Sequence, residues 1–267
     1  MATPRGSPYH VTMGTAARAL DISPRGRRAR RQRSADRDQH GLRKLAAGLR
    51  RLGWPEPSIA QLLDVARIVT FPHGQTIYAD GSPAIRLFWL LDGVVKLFVP
   101  GPDGRRVLVA LAKPGALLGS TLVIGERRME MAVTLTDVRA AAFERDAFQA
   151  VTRSLPAELL QAMTGRTLEV LSRSFLRTVR LLTLDLRSKL ALSLAELADG
   201  FGVADAEGRL LKVRLTHGDL AELAGISRAR VTKVLREFTE CGLVRRRGRS
   251  LVVNSRALRE LMNRRAP

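Results

Sequence analysis

Leu215–Phe238 reads LTHGDLAELAGISRARVTKVLREF, two short helix signals on either side of a three-residue turn. Thr216 can cap the first helix, Asp219 stands three residues on to complete a capping box, and Leu220 is placed to staple back onto Leu215. Ala224-Gly225-Ile226 interrupts the pattern, with Gly225 free to take the positive φ of a tight turn. Ser227 then caps a second helix, and Ile226 can staple onto Val231. A helix, a glycine-bearing turn and a second capped helix make the outline of a helix-turn-helix.

In the second helix Val231, Val234, Leu235 and Phe238 recur at helical spacing and would bury one face. Arg228, Arg230, Lys233 and Arg236 fall in its first three turns, mostly off that face. The N-terminal residues of a recognition helix meet base edges in the major groove, where the planar fork of arginine binds guanine in a bidentate way. The competing reading is a surface helix with solvated cations. Two stapled caps around a glycine turn weigh against it.

The chain as a whole agrees. Its 267 residues allow one large domain or two ordinary ones with ample core. A net charge of +20 argues for a polyanionic partner. Residues 1–52 hold 13 Lys and Arg against 3 Asp and Glu, residues 53–209 hold 18 against 17, and residues 210–267 hold 14 against 5, so the basic character belongs to the two ends. The single cysteine, Cys241, rules out an internal disulfide, a zinc finger or an iron–sulfur cluster; it is expected as a half-buried packing residue. No apolar run approaches the length of a membrane span, and the N-terminus lacks the apolar centre of a signal peptide. A cytoplasmic protein is expected, without a membrane partner.

Outward from the helix pair, four segments are expected. Residues 1–52 read as a basic arm, largely disordered through residue 40 and carrying the run Arg25-Gly-Arg-Arg-Ala-Arg-Arg-Gln-Arg33. Such an arm either adds phosphate contacts or is a solvated leader. Leu42, Leu45, Leu49 and Leu52 predict a short amphipathic helix, docked on the next domain or lying on a membrane surface. Residues 53–155 turn to the period of strands, with Thr76–Tyr78, Leu87–Leu91, Val94–Val99, Arg106–Leu111, Met131–Leu135 and Val138–Phe143 separated by glycine-bearing turns. Asp92-Gly93 and Asp103-Gly104 read as hairpin signals, and the series suggests a small antiparallel barrel or roll able to enclose a pocket.

Residues 156–184 form a long helix opened by Pro156, whose stripe Leu168, Leu171, Phe175, Val179 and Leu182 suits a coiled-coil seam between subunits; packing on the chain's own roll is the alternative. Residues 185–267 hold a further helix over Asp185–Ala198, a strand over Leu210–Leu215, the helix pair, and a hairpin over Gly242–Val253. Arg245-Arg246-Arg247-Gly248-Arg249 stands at the hairpin tip, the composition of a wing that presses on phosphates.

This arrangement resembles the Crp–Fnr family of transcription regulators over residues 57–262. LTHGDLAELAGISRARVTKVLREFTECGLV, residues 215–244, follows the family's helix-turn-helix pattern without a gap. Phe71-Pro72-His73-Gly74 through Gly81, and Lys113-Pro114-Gly115 through Gly119, resemble its sensory β-roll. The resemblance implies an α+β chain: a cyclic-nucleotide-binding-like antiparallel β-roll, a long dimerisation helix and a C-terminal winged helix-turn-helix. It also implies a homodimer on a near-palindromic operator, with DNA and RNA polymerase as partners.

Family roles carry over residue by residue. Arg228 matches the base-reading arginine, Ala229 stands where many members have a base-contacting glutamate, and Lys233 stands where arginine is common. Arg230 is an extra cation. Thr216, Ser227, Arg247 and Arg249 match positions that meet phosphate, and His217 and Arg236 complete the DNA-facing set. The departures imply an operator other than the common one.

The sensor departs further. Where the family has a Gly-Glu pair and then an Arg-Ser or Arg-Thr pair before alanine, this chain has Gly119-Ser120 and Glu130-Met131-Ala132. A carboxylate in place of the phosphate-binding arginine repels cyclic AMP in the usual pose. Arg127 and Arg128 lie in the preceding loop. The effector pocket is expected to draw on Gly119, Ser120, Leu122, Glu130, Met131 and Ala132, with Ser172 and Ser174 from the long helix. The effector is unassigned. No cofactor or metal is expected, since the oxygen-sensing cysteine cluster of another branch is absent and His73, in a Pro-His-Gly turn, is the one histidine of the roll.

Two other classes compete. One is a nucleotide-sensing module whose basic ends bind nucleic acid without sequence choice. The other is an enzyme, and no Gly-rich phosphate loop, metal-spaced cluster or Ser-His-Asp outline supports it.

Overall fold

The computed structural model describes residues 24–101, 106–120 and 126–263, with backbone alone for 24–35 and 37. The chain divides into two units, Met1–Gln39 and His40–Pro267. Helix α1 runs Pro24–Arg51. Its early part corrects the expected disorder: Pro24 suits a helix start, and the Arg, Ala and Gln that follow are strong helix formers, so propensity prevails where an apolar stripe is lacking. From His40 on, Leu45, Ala46 and Leu49 are buried against the roll. Gly48 lets the helix come close, since a Cβ there would lie 3.1 Å from the Trp89 ring.

The roll consists of two antiparallel sheets. One orders β1 (Arg67–Phe71), β8 (Val138–Glu144), β3 (Arg86–Asp92) and β6 (Leu117–Leu118); the other orders β2 (Thr76–Tyr78), β7 (Met131–Thr134), β4 (Val95–Pro100) and β5 (Arg106–Ala112). Side chains of β3 alternate between two cores, which explains why a run from Leu87 to Leu91 is apolar throughout. Phe88 and Leu90 face Tyr78, Val95, Ala132 and Ala140 inside the roll. Leu87, Trp89 and Leu91 face α1, α2 (Glu56–Val65) and α3 (Arg145–Arg153) outside.

Asp92-Gly93 is not a hairpin. It carries the chain from one sheet to the other, with Gly93 at φ +89° and so close to its neighbours that a Cβ would sit 2.3 Å from the Asp137 carbonyl oxygen. Asp103-Gly104 lies outside the described residues, between the paired strands β4 and β5.

After Pro156, α4 runs Ala157–Thr183. The C-terminal domain follows as α5 (Leu186–Phe201, capped by Asp185), β9 (Gly202–Asp205), β10 (Gly208–Leu211), α6 (His217–Ala224), α7 (Arg228–Glu240), β11 (Val244–Arg247), β12 (Ser250–Val253) and α8 (Ser255–Asn263). Its sheet orders β11-β12-β10-β9. The expected strand over Leu210–Leu215 ends at Leu211, because Lys212–Leu215 leaves the sheet to reach the cap at Thr216. Leu190, Leu194, Leu220, Val231, Phe238 and Val253 form the domain's core, and Phe98, Leu108 and Met131 from β4, β5 and β7 continue it into the roll. Cys241 is exposed, not half-buried, since it is the C-cap of α7, beyond Phe238 where the buried stripe ends.

Candidate DNA interface and sensory pocket

The helix pair forms through the caps its residues provide. The Thr216 hydroxyl accepts from the Asp219 backbone N–H at 3.1 Å, and the Asp219 carboxylate accepts from the Thr216 N–H at 2.8 Å, a complete capping box. Gly225 takes the left-handed conformation, φ +63°, between the helices. The Ser227 side chain accepts from the Arg230 N–H at 3.3 Å. Burial of Val231, Val234, Leu235 and Phe238 turns the opposite face of α7 to solvent, so Arg228, Ala229, Arg230, Lys233 and Arg236 are all exposed. Arg228, Arg230 and Lys233 make no ion pair among the described residues; Arg236 approaches Glu240 at 3.7 Å.

A hydrogen-bonded chain ties the wing to this helix. Arg246 Nη2 meets His217 Nε2 at 3.3 Å, and His217 Nδ1 meets Thr232 Oγ1 at 2.8 Å. A guanidinium can only donate, so Nε2 accepts and the proton sits on Nδ1, donated to Thr232, which in turn donates to the Arg228 carbonyl at 3.1 Å. Burial, then the neighbouring Arg246 and Arg228, hold the His217 imidazole below its ordinary pKa.

The arginine run is placed differently from expectation. Arg245, Arg246 and Arg247 lie in β11 rather than at the tip, and Arg245 and Arg247 pair with Glu207 and Asp205 of the neighbouring hairpin. Of the wing residues expected at phosphate, Arg249 is exposed and without a partner among the described residues, whereas Arg247 is engaged.

Asp219 also serves a second role that sequence alone gave no sign of. Lys96 of β4 donates to its Oδ1 at 2.8 Å, with 19% and 8% of the two side chains exposed. Burial disfavours the Asp219 carboxylate, but Lys96 and Thr216 outweigh it and lower the pKa. The same residue that caps α6 therefore fastens it to the roll. Arg177 of α4 adds a second tie, donating to Glu196 of α5 at 2.7 Å and to the Leu223 carbonyl of α6 at 2.9 Å.

In the roll, Gly119 and Glu130 do come together, through two residues outside the expected set. The Tyr78 hydroxyl donates to Glu130 Oε1 at 2.9 Å. The Arg128 guanidinium lies 4.2 Å from the centre of the Tyr78 ring and donates to the carbonyls of Arg86 and Gly119 at 2.5 and 3.4 Å. Arg128 is 5% exposed, so this loop arginine is a core residue. A Cβ at Gly119 would lie 2.0 Å from its Nη1, and φ there is +76°. Burial, then the charge of Glu130, pushes the Tyr78 phenol up, so it stays a donor.

Met131 and Ala132 are buried in β7 on opposite faces, and Ser120 is exposed. Leu122 lies outside the described residues. Ser172 and Ser174 are exposed on α4, and Ser174 lines a different cavity, at the joint of α4, α5 and β5. The α4 stripe is not packed on its own roll: Leu168, Leu171, Phe175, Val179 and Leu182 are exposed, Phe175 by 67% and Leu182 by 77%. Among the described residues no cluster of His, Cys, Asp and Glu could hold a metal ion, and no helix is long and apolar enough to cross a membrane.

Comparisons with known proteins follow this division of the chain. The cyclic nucleotide-binding domain family matches residues 68–154, and the Crp-like helix-turn-helix domain matches residues 188–261. The chain is 34% identical over 207 residues to the CRP-like cAMP-activated global transcriptional regulator of Mycobacterium tuberculosis, covering 74% of this chain and 89% of that one. A transcriptional regulator of the CRP/FNR family from Thermus thermophilus superposes with a TM-score of 0.60 at 26% identity, over 75% of this chain and all of the other. The c-di-GMP responsive global regulator CLP of Xanthomonas campestris shares the fold, with a TM-score of 0.63 at 22% identity over 75% and 99% of the two chains. The chain belongs to the Crp–Fnr family of transcription regulators, with a cyclic-nucleotide-binding-type roll joined to a DNA-binding helix-turn-helix.

Proposed function

We propose that the protein works as a homodimer on a near-palindromic operator, with α7 of each subunit in one of two successive major-groove faces. The observation that carries this reading is the unpaired row Arg228, Arg230 and Lys233 on the solvent face of α7, beside a buried opposite face. In it Arg228 reads guanine, Arg230 and Lys233 reach a base or the backbone, and Ala229 offers only a methyl to a thymine methyl. Thr216, His217, Ser227 and Arg236 face phosphates, joined in the wing by Arg249 rather than Arg247. The exposed stripe Leu168–Leu182 on α4 supports pairing of two such helices. Contact with RNA polymerase and a cytoplasmic location belong to the same reading.

The roll is not proposed as a cyclic AMP receptor of the usual kind. Glu130 stands where a phosphate needs a cation, and the nearby cation Arg128 is already committed to the face of the Tyr78 ring and to two backbone carbonyls. Any effector acts by binding one dimer arrangement better than another.

The test compares Arg228→Ala with deletion of residues 1–39, which spares the part of α1 buried against the roll. Sequence-specific reading predicts that Arg228→Ala loses ~1–3 kcal/mol of discrimination on a selected site while the deletion leaves specificity intact. Deletion abolishing binding while Arg228→Ala changes nothing would favour binding without sequence choice through the basic ends.

A further inference from the structure

The joint between roll and reading head carries an open cleft of about 330 Å³, separate from the residues around Glu130. Its walls come from β5, α4, α5 and the end of α6. That volume falls in the range of small-molecule sites. The lining is divided in character. Val109, Leu197, Phe201 and Leu223 supply apolar wall, and Lys113, Arg173 and Arg177 supply cations.

The lining carboxylate, Glu196, is already held by Arg177 at 2.7 Å. Lys113 has no partner among the described residues, and Arg177 Nη1 is without one there too. Among the described residues Arg173 is paired only with exposed Glu169 of its own helix, a contact worth little in water. Ser193, also in the lining, is buried with its hydroxyl unpartnered among the described residues. A cleft with apolar walls and spare cationic donors is matched by a compact ligand having one anionic group and one apolar body.

We propose that this cavity is a second small-molecule site, for a small amphipathic anion: an aromatic or short aliphatic body bearing one carboxylate or one phosphate. The apolar body lies between Val109, Leu197 and Phe201, and the anion meets Arg177, Arg173 and Lys113. Arg177 already bridges α4 to α5 and to the Leu223 carbonyl, so a ligand there touches the parts whose relative placement decides where α7 points. That regulatory consequence rests on the function proposed above; the binding itself does not.

The test titrates purified full-length protein, without DNA, against benzoate and phenyl phosphate, with benzyl alcohol and phenol as neutral counterparts, read by ligand-observed NMR and thermal shift. Saturable binding of benzoate or phenyl phosphate is expected, with the neutral compounds ~10-fold weaker, the worth of one charge-assisted contact. Whichever anion binds more tightly identifies the head group as carboxylate or phosphate. Gly200→Leu projects into open space beside the cavity without backbone strain, and is expected to weaken binding at least ~10-fold while the fold is kept. Ser174→Trp fills the cavity from α4 and replaces that test if Gly200→Leu does not fold. Glu130→Gln, in the roll, is expected to leave binding unchanged. Absence of saturable binding by both anions, or binding that survives the cavity-filling variant, overturns the proposal. Failure of sequence-specific DNA binding alone would leave it standing.

Discussion

Replacing Lys96 with methionine tests how firmly the reading head is fastened to the roll. The Lys96–Asp219 pair is 2.8 Å long and mostly out of solvent. Removing one partner of a fully buried pair costs ~3–5 kcal/mol, because the other charge is left without compensation. Here Asp219 keeps the N–H and hydroxyl of Thr216, and Lys96 is not completely buried, so about half of that is expected, ~2 kcal/mol. Lys96 also lies 5.4 Å from the centre of the Phe98 ring, a contact worth ~0.5 kcal/mol that methionine partly keeps. Urea unfolding is the assay, supported by a fall of ~4–8 °C in Tm for a chain of this size.

Lys96→Met combined with Asp219→Asn closes a double-mutant cycle, and a coupling of ~1–2 kcal/mol is expected because the pair removes a shared penalty. Asp219→Asn alone weakens the capping box as well, so its single cost should exceed that of Lys96→Met. A cost for Lys96→Met below ~0.5 kcal/mol with no coupling would show that the pair behaves as a solvated surface bridge, and the reasoning would fail.

Further outcomes follow from other parts of the chain. Gly225→Ala meets no neighbouring atom and costs only its left-handed backbone, ~1–2 kcal/mol, whereas Gly93→Ala also drives a Cβ against the Asp137 carbonyl and should cost more; denaturant midpoints rank the two. Phe175→Glu should leave helicity unchanged, since the residue is exposed in the single chain, and should dissociate the proposed dimer in sedimentation experiments. The carboxyls of Asp219 and Asp92 are both lowered against the pull of burial, Asp92 by Lys44 and Arg139. Their stabilisation is therefore complete above the ordinary aspartate pKa of about 3.9 and lost as pH falls through the lower folded values; an Asp219→Asn, Asp92→Asn variant should show a flatter stability profile below pH ~4.

The parts legible in the sequence were those set by local rules. Thr216, Asp219, Gly225 and Ser227 define their caps and turn within a few residues, and the alternation of β3 through two cores left a continuous apolar run that reads as a strand. What the sequence did not disclose depends on which distant residues meet. Arg128 read as a loop cation because nothing near it in sequence predicts the Tyr78 ring beneath it. Lys96 and Asp219 are 123 positions apart, so the tie between roll and reading head has no local signature. Asp92-Gly93 has hairpin chemistry but joins different sheets, a matter of tertiary pairing rather than turn propensity. Arg247 matched a phosphate-facing position, yet Asp205 across the sheet engages it. The helix from Pro24 was hidden for the opposite reason: its propensity is local, but its composition resembles that of a solvated tail.

Selection of bound sequences from random duplex DNA by the purified full-length protein tests most directly whether α7 reads DNA from a two-fold dimer. The prediction is a dyad-symmetric consensus whose half-sites are centred about 34 Å apart along the duplex, with a guanine in each half-site that loses its preference in Arg228→Ala. Enrichment of no consensus, or of one without two-fold symmetry that Arg228→Ala leaves unchanged, would contradict it.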